Sequence, residues 1–160
     1  MENPAASSQS RAGGVTETIR PAVPDDVPSV ISLDQRITGL AKPEYWNDTF
    51  DRYGRRSDRF FLVSDNDQGI TGFIIGEVRA WEFGSPPCGW IFALGVDPGT
   101  RLGGTGSRLL AEICRKFKKI KVDKVRTMLG ADDHLNMSFF RSQGMKGGPF
   151  IQLEKYLVDD

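Results

Sequence analysis

The spacing of hydrophobic and polar residues changes along the chain, and each change marks an element. Thr16-Glu17-Thr18-Ile19-Arg20-Pro21-Ala22 alternates polar and apolar, the period of a half-buried strand, and Pro21 marks an edge or an end. Asp25-Asp26 offers a helix N-cap, and Val27, Val30, Ile31 and Leu33 follow on one helical face. Pro43 to Arg56 predicts a second helix, with Tyr45, Trp46, Phe50 and Tyr53 at helical spacing. Phe60-Phe61-Leu62-Val63 reads as a strand, Asn66-Asp67-Gln68-Gly69 as a turn and Ile70 to Trp81 as the return strand of a hairpin.

The second half of the chain has a different rhythm. Cys88 to Val96 is almost continuously apolar, which predicts a strand covered on both faces. Asp97-Pro98-Gly99 stops it. Gly103 to Lys119 predicts a helix, with Leu109, Ile113 and Phe117 at i, i+4 and i+8. Val122 to Leu129 is the next strand, and a strand, crossover helix and strand imply a parallel pair. Asp132 or Asp133 caps a helix that runs to Gln143, with Gly144 as its C′ residue. Phe150 to Leu157 is the last predicted strand. The expected organisation is a flexible tail over residues 1–15 and a single domain over 16–160.

Composition narrows the classes. A hydrophobic fraction of 39% and a charged fraction of 26% suit a globular chain and exclude a disordered one. Lys plus Arg and Asp plus Glu are 21 each, so the net charge is zero and no nucleic-acid partner is expected. The run Arg115 to Arg126 is rich in lysine, but Phe117, Ile120, Val122 and Val125 give it a buried side, and cations suit a helix C-terminus. Two cysteines and one histidine are too few for a disulfide framework or a ligand-rich metal site, so no metal is expected and a reducing, cytoplasmic location is. The longest uninterrupted apolar run, Trp90 to Leu94, is far shorter than the roughly 20 residues of a membrane span.

Glycine is the outlier at 18 of 160 residues, and its placement carries the chemistry. The stretch Gly95-Val96-Asp97-Pro98-Gly99-Thr100-Arg101-Leu102-Gly103-Gly104-Thr105-Gly106-Ser107 joins a buried strand to a helix. Unpaired N–H groups and the positive end of the helix dipole converge there, and Gly103, Gly104 and Gly106 let backbone close around an anion such as a pyrophosphate. A P-loop is excluded because Thr105 and Gly106 occupy its lysine and hydroxyl positions. A dinucleotide fingerprint begun at Gly104 puts Leu109 at its third glycine.

Arg101-x-x-Gly104-x-Gly106 after Val96-x-Pro98 closely resembles the acetyl-CoA signature of the GCN5-related N-acetyltransferase (GNAT) superfamily. Residues 132–145 are similar to a second segment of that family, with Phe139-Phe140 on its Leu-Tyr pair and Gly144-Met145 on its Gly-Phe. The resemblance implies an α+β fold of three layers, with a mixed, mainly antiparallel twisted sheet split at a parallel pair and about four helices. It implies transfer of acetyl from acetyl-CoA to a primary amine of a protein or a small molecule, by direct attack. The rival reading is a non-catalytic acyl-CoA-binding module of the same fold. A homodimer is compatible with either.

The cofactor-binding residues that the resemblance implies are Leu94, Gly95, Val96, Arg101, Leu102, Gly103, Gly104, Thr105, Gly106 and Ser107, with Asn136 and Phe140 beside the pantetheine arm. Gly95 is expected as a bulge residue, and the main-chain N–H of Leu94 as the donor to the thioester carbonyl. Phe140 departs from the family tyrosine that protonates the leaving thiolate, because phenylalanine has no proton to give. The strand Trp90 to Leu94 offers no carboxylate. Glu77, in the alternating set Phe73, Ile75, Glu77, is therefore the first candidate base, expected among apolar neighbours that would favour its neutral form; Glu82 and Asp34 rank behind it. His134, at the start of a helix, could serve as a base but is expected to be a surface residue, and Cys88 and Cys114 have no activating neighbour in the sequence, so no nucleophile is assigned.

Overall fold

The structure is a computed structural model, and it describes residues 16–100 and 103–158. It begins with strand β1 (Thr18–Pro21) and helices α1 (Val27–Thr38) and α2 (Pro43–Tyr53). Strands β2 (Arg59–Asn66), β3 (Gly69–Arg79) and β4 (Cys88–Val96) follow, then α3 (Thr105–Lys119), β5 (Val125–Arg126) and α4 (His134–Ser142). The five strands form one sheet in the order β1-β2-β3-β4-β5, antiparallel except for the parallel β4–β5 pair. The expected mixed sheet, its parallel pair and the four helices are all present. The chain divides into two units, Met1–Thr127 and Met128–Asp160.

In the first unit both faces of the sheet are covered. Val30 and Leu33 of α1 and Trp46 and Phe50 of α2 pack on Phe61, Val63, Phe73 and Ile75. Each such side chain contributes about 1.5–3 kcal/mol when removed from water. The α1–α2 pair is also tied internally: the buried carboxylate of Asp34 accepts from Trp46 Nε1 (2.9 Å) and pairs with Lys42 Nζ (2.8 Å). On the opposite face α3 buries Leu109, Leu110, Ile113 and Phe117, and the Phe60 and Phe117 rings meet edge to face at 5.2 Å. Among the described residues no helix is long and apolar enough to cross a membrane.

Two expected strands differ. The predicted Val122–Leu129 strand shortens to Val125–Arg126. The chain leaves α3 with Lys121 in the left-handed region (φ 66°), and the polar pair Asp123-Lys124 intervenes before pairing begins. The predicted strand Phe150 to Leu157 does not form: residues 149–158 have no regular structure, and Ile151 and Leu153 are 87% and 90% exposed. Alternation describes which face a side chain takes. It does not supply a neighbouring edge for the backbone, and none is present for this segment among the described residues.

Candidate active site

Strand β4 carries one more residue than its partner opposite the middle of β3. Ile75 pairs with Ala93 and Gly76 with Ile91, so Phe92 is the extra residue. This corrects the expected bulge at Gly95. Gly95 is buried and serves a packing purpose instead, because a Cβ there would lie 2.5 Å from the Phe73 ring and 3.1 Å from Ile37.

The bulge sits where the two edges of β4 part company. Before it, Gly89 donates its N–H to Lys124 O (2.8 Å), and Thr127 Oγ1 donates to the carbonyl of Ile91 (2.8 Å). The β4–β5 ladder holds only the pairs Gly89–Val125 and Trp90–Arg126. After the bulge, Asp97 N–H reaches Thr71 O on the β3 side (2.8 Å). Main-chain direction alternates along a strand, so Gly95 and Ala93 also face β3. Leu94 and Val96 turn their N–H and C=O groups to the opposite edge, where the described residues supply no ladder partner. The expected donor, Leu94 N–H, is therefore on the edge that an extended ligand could pair with.

At the end of that edge the chain turns into α3. Asp97 Oδ1 accepts from Gly99 N–H (2.8 Å) and its carbonyl from Thr100 N–H (2.9 Å), which shapes the turn. Gly104 is the N-cap of α3 and lies in the left-handed region (φ 79°), where an L side chain is strained. The first helical bond runs from Arg108 N–H to Gly104 O (3.1 Å), so Thr105 and Gly106 have no acceptor for their N–H groups within α3. Gly103 meets nothing within 4 Å of where a Cβ would stand. Arg101 and Leu102 lie outside the described residues. The donors and space present fit an anionic group followed by an extended amide-bearing arm.

The other side of β4 is built from side chains. Glu77 stands in register with Arg59 and with Trp90. Its carboxylate is not among apolar neighbours as expected. Arg79 Nε lies 3.1 Å from Oε1 and Arg59 Nε 3.5 Å from Oε2, and the two guanidinium groups lie over the Trp90 and Tyr53 rings at 5.1 Å each. The β3 alternation was right about the face, but β2 brings the first arginine to that face and Arg79, two residues along β3, supplies the second. Phe92 is 39% exposed at the bulge, against Tyr53 at 4.8 Å. Glu82 is exposed, 4.0 Å from Arg79, and Asp34 is committed to Trp46 and Lys42. Cys88 is buried with Arg126 Nη1 3.7 Å from its Sγ, and burial pushes the Cys114 thiol up from its ordinary value.

In the second unit, Asp133 caps α4. It accepts from Asn136 N–H (3.1 Å) and Asn136 Nδ2 (2.7 Å), and these bonds hold its carboxyl below the ordinary range. The amide of Asn136 is thus engaged in the cap. Phe140 is buried, with its ring edge-on to Phe139 at 5.1 Å. The sequence pattern did not single out Glu17, Thr105's hydroxyl or Arg108 as a group. Glu17 Oε1 accepts from Thr71 Oγ1 (3.1 Å) and Thr105 Oγ1 (2.7 Å), and its other oxygen binds Arg108. Contacts between residues 54 to 91 apart leave no trace in local periodicity.

Known folds match this arrangement. The aminoglycoside N-acetyltransferase AAC(6')-Iy, solved with CoA, superposes with a TM-score of 0.81 at 12% identity, covering 92% of this chain and 99% of that one. The aminoglycoside 6'-N-acetyltransferase AAC(6')-Ih of Acinetobacter baumannii gives 0.77 at 13%, covering 90% and 100%. Glucosamine-6-phosphate N-acetyltransferase of Arabidopsis thaliana gives 0.71 at 20%, covering 89% and 99%. No curated protein matches the chain in sequence. The sequence profile of the Acetyltransferase (GNAT) family matches residues 27–145, and the chain belongs to that family.

Proposed function

We propose that the protein transfers an acetyl group from acetyl-CoA to the primary amine of a small molecule. The observation that carries this is the open edge at Leu94 and Val96 leading into the glycine-rich mouth of α3. Pairing outward from an otherwise satisfied strand, these main-chain groups suit the amides of a pantetheine arm, and the N–H groups of Gly104, Thr105 and Gly106 suit a diphosphate. The activated acyl thioester supplies the electrophile. On this reading Leu94 N–H polarises its carbonyl, as an oxyanion donor does. With Cys88 buried and Cys114 unactivated, the amine attacks directly and no covalent enzyme intermediate is needed.

A small-molecule acceptor is favoured because structural neighbours are named for aminoglycosides and glucosamine 6-phosphate. The exposed Phe92 ring beside Tyr53 offers such an acceptor an aromatic wall. An alkyl amine is mostly protonated at neutral pH, with a pKa near about 10. Glu77 is the carboxylate nearest the bulge in register, though its arginine pairing removes the apolar surroundings on which a proton-accepting role rested. Phe140 has no proton for the thiolate, and a thiol of ordinary acidity leaves without one.

A second reading, an acyl-CoA-binding module without turnover, draws on the same two observations at Glu77 and Phe140. Release of the CoA thiol across a panel of small amines and lysine peptides separates the readings. Acceptor-dependent release with aminosugars or polyamines is the expected result. Tight acetyl-CoA binding with no release would establish the module, and release with peptides alone would replace the acceptor class.

A further inference from the structure

We propose that Glu17 is a positioning residue for the anion-binding turn, holding Gly103 and the first turn of α3 in the orientation that grips the cofactor. The inference rests on reading that turn as the cofactor site.

Glu17 precedes the edge strand β1, yet its side chain is only 11% exposed and reaches β3 and α3. Oε1 accepts from the hydroxyls of Thr71 on β3 and Thr105, the first residue of α3. Thr71 Oγ1 also lies 3.0 Å from Ser64 Oγ on β2. Oε2 takes the Arg108 guanidinium. One carboxylate therefore links β2, β3 and the helix start. Burial pushes its carboxyl up, but hydrogen bonds from Ser64, Thr105, Arg108 and Thr71 outweigh that and bring it below the ordinary range.

The link continues to the turn itself. Arg108, oriented by Glu17, donates Nη1 to Gly103 O (2.8 Å). In a trans peptide the carbonyl of one residue and the N–H of the next point in opposite directions. Pinning the Gly103 carbonyl toward Arg108 therefore turns the Gly104 N–H away from it. Thr105, 1% exposed, is fixed from the same carboxylate, which sets the direction of the first helical N–H groups. Glu17 touches neither donor; it acts through Arg108 and Thr105.

Electrostatics and positioning predict opposite signs, which makes the idea testable. A diphosphate at the mouth of α3 would be repelled by a nearby carboxylate, so neutralising Glu17 should strengthen CoA binding if charge were all that mattered. If positioning dominates, neutralising it weakens binding. Calorimetry with CoA, run alongside initial rates with varied acetyl-CoA and varied amine, reads both. Glu17→Ala is expected to lose about tenfold in CoA affinity, and Glu17→Gln, which keeps one acceptor for Thr105, about threefold. The KM for acetyl-CoA should rise in step while kcat and the KM for amine stay within about twofold. Glu17→Asp should recover part of the loss.

Tighter or unchanged CoA binding in folded Glu17→Ala and Glu17→Gln would overturn the proposal, as would a loss spread equally over kcat and both KM values. Should Glu17→Ala fail to fold, Thr105→Val removes the same hydroxyl link from the helix side, and unchanged CoA affinity there would overturn it too. A wild-type protein that binds no CoA would instead refute the cofactor-site reading, and the positioning role would fall with it.

Discussion

The first four residues of β4 and the last five belong to one apolar strand, but their main chains meet different neighbours. Cys88 to Ile91 hydrogen-bond to β3 on one edge and to β5 and Thr127 on the other. Ala93 to Val96 keep β3, and among the described residues no second strand pairs with them. One inserted residue, Phe92, and a fifth strand only two residues long account for the difference. The first half contributes to stability because its main chain is paired along both edges. Among the described residues the second half is paired on the β3 edge only, a geometry that an extended ligand could complete. If the open edge is the proposed cofactor site, stability and binding within β4 are separated by register rather than by composition.

The largest test of this comparison lies where the open edge ends. Gly104→Val places a β-branched residue at φ 79°, with a Cβ 3.2 Å from Arg108 Nη1. The strain, about 1–3 kcal/mol, should displace the helix mouth and weaken CoA binding by up to about a hundredfold in calorimetry. Gly103→Ala, with open space around its Cβ, should leave the melting temperature unchanged. If Gly104→Val binds CoA like wild type, the edge and the mouth do not form one site.

The next effect is on stability. Gly95→Val drives a side chain into Phe73 and should cost about 1–3 kcal/mol in denaturant unfolding, as overpacked cores do. An unchanged midpoint would mean that the second half of β4 yields, and that its rigidity is not what keeps Leu94 and Val96 aimed outward. Smaller again is Thr127→Val. It leaves the Ile91 carbonyl without its hydroxyl donor, at a cost of about 1 kcal/mol. No change in stability would show that the β4–β5 boundary does not depend on that bond.

How much of this was legible in the sequence follows from the same contrast. The unbroken apolar run from Trp90 to Leu94 gave the strand and both covered faces, because side chains record what lies above and below a sheet. The edge is a third direction, and hydropathy does not record it. Only the family resemblance suggested an open edge, and it put the bulge at Gly95, the residue whose missing side chain is visible in the sequence. Phe92 has no such signature. The mouth of α3 was legible because Gly104 must adopt a conformation that other residues avoid, so its backbone demand appears as residue identity. Glu17, Thr71, Thr105 and Arg108 meet only through tertiary pairing, and the arginines at Glu77 are set by β2–β3 register and the β3 alternation together.

The smallest expected effect concerns the side of β4 built from side chains. Glu77 shares its two oxygens between Arg59 and Arg79, and both guanidinium groups rest on aromatic rings. In Glu77→Gln the amide oxygen can still accept from one arginine, so the local packing should persist. If Glu77 is chiefly the centre of that arginine pair, kcat/KM should fall by less than about threefold and keep the shape of its pH profile. A loss of about a hundredfold, with the acidic limb of the profile displaced, would make Glu77 the proton acceptor after all. The acceptor side would then depend on one side chain, while the proposed cofactor side would rest on backbone.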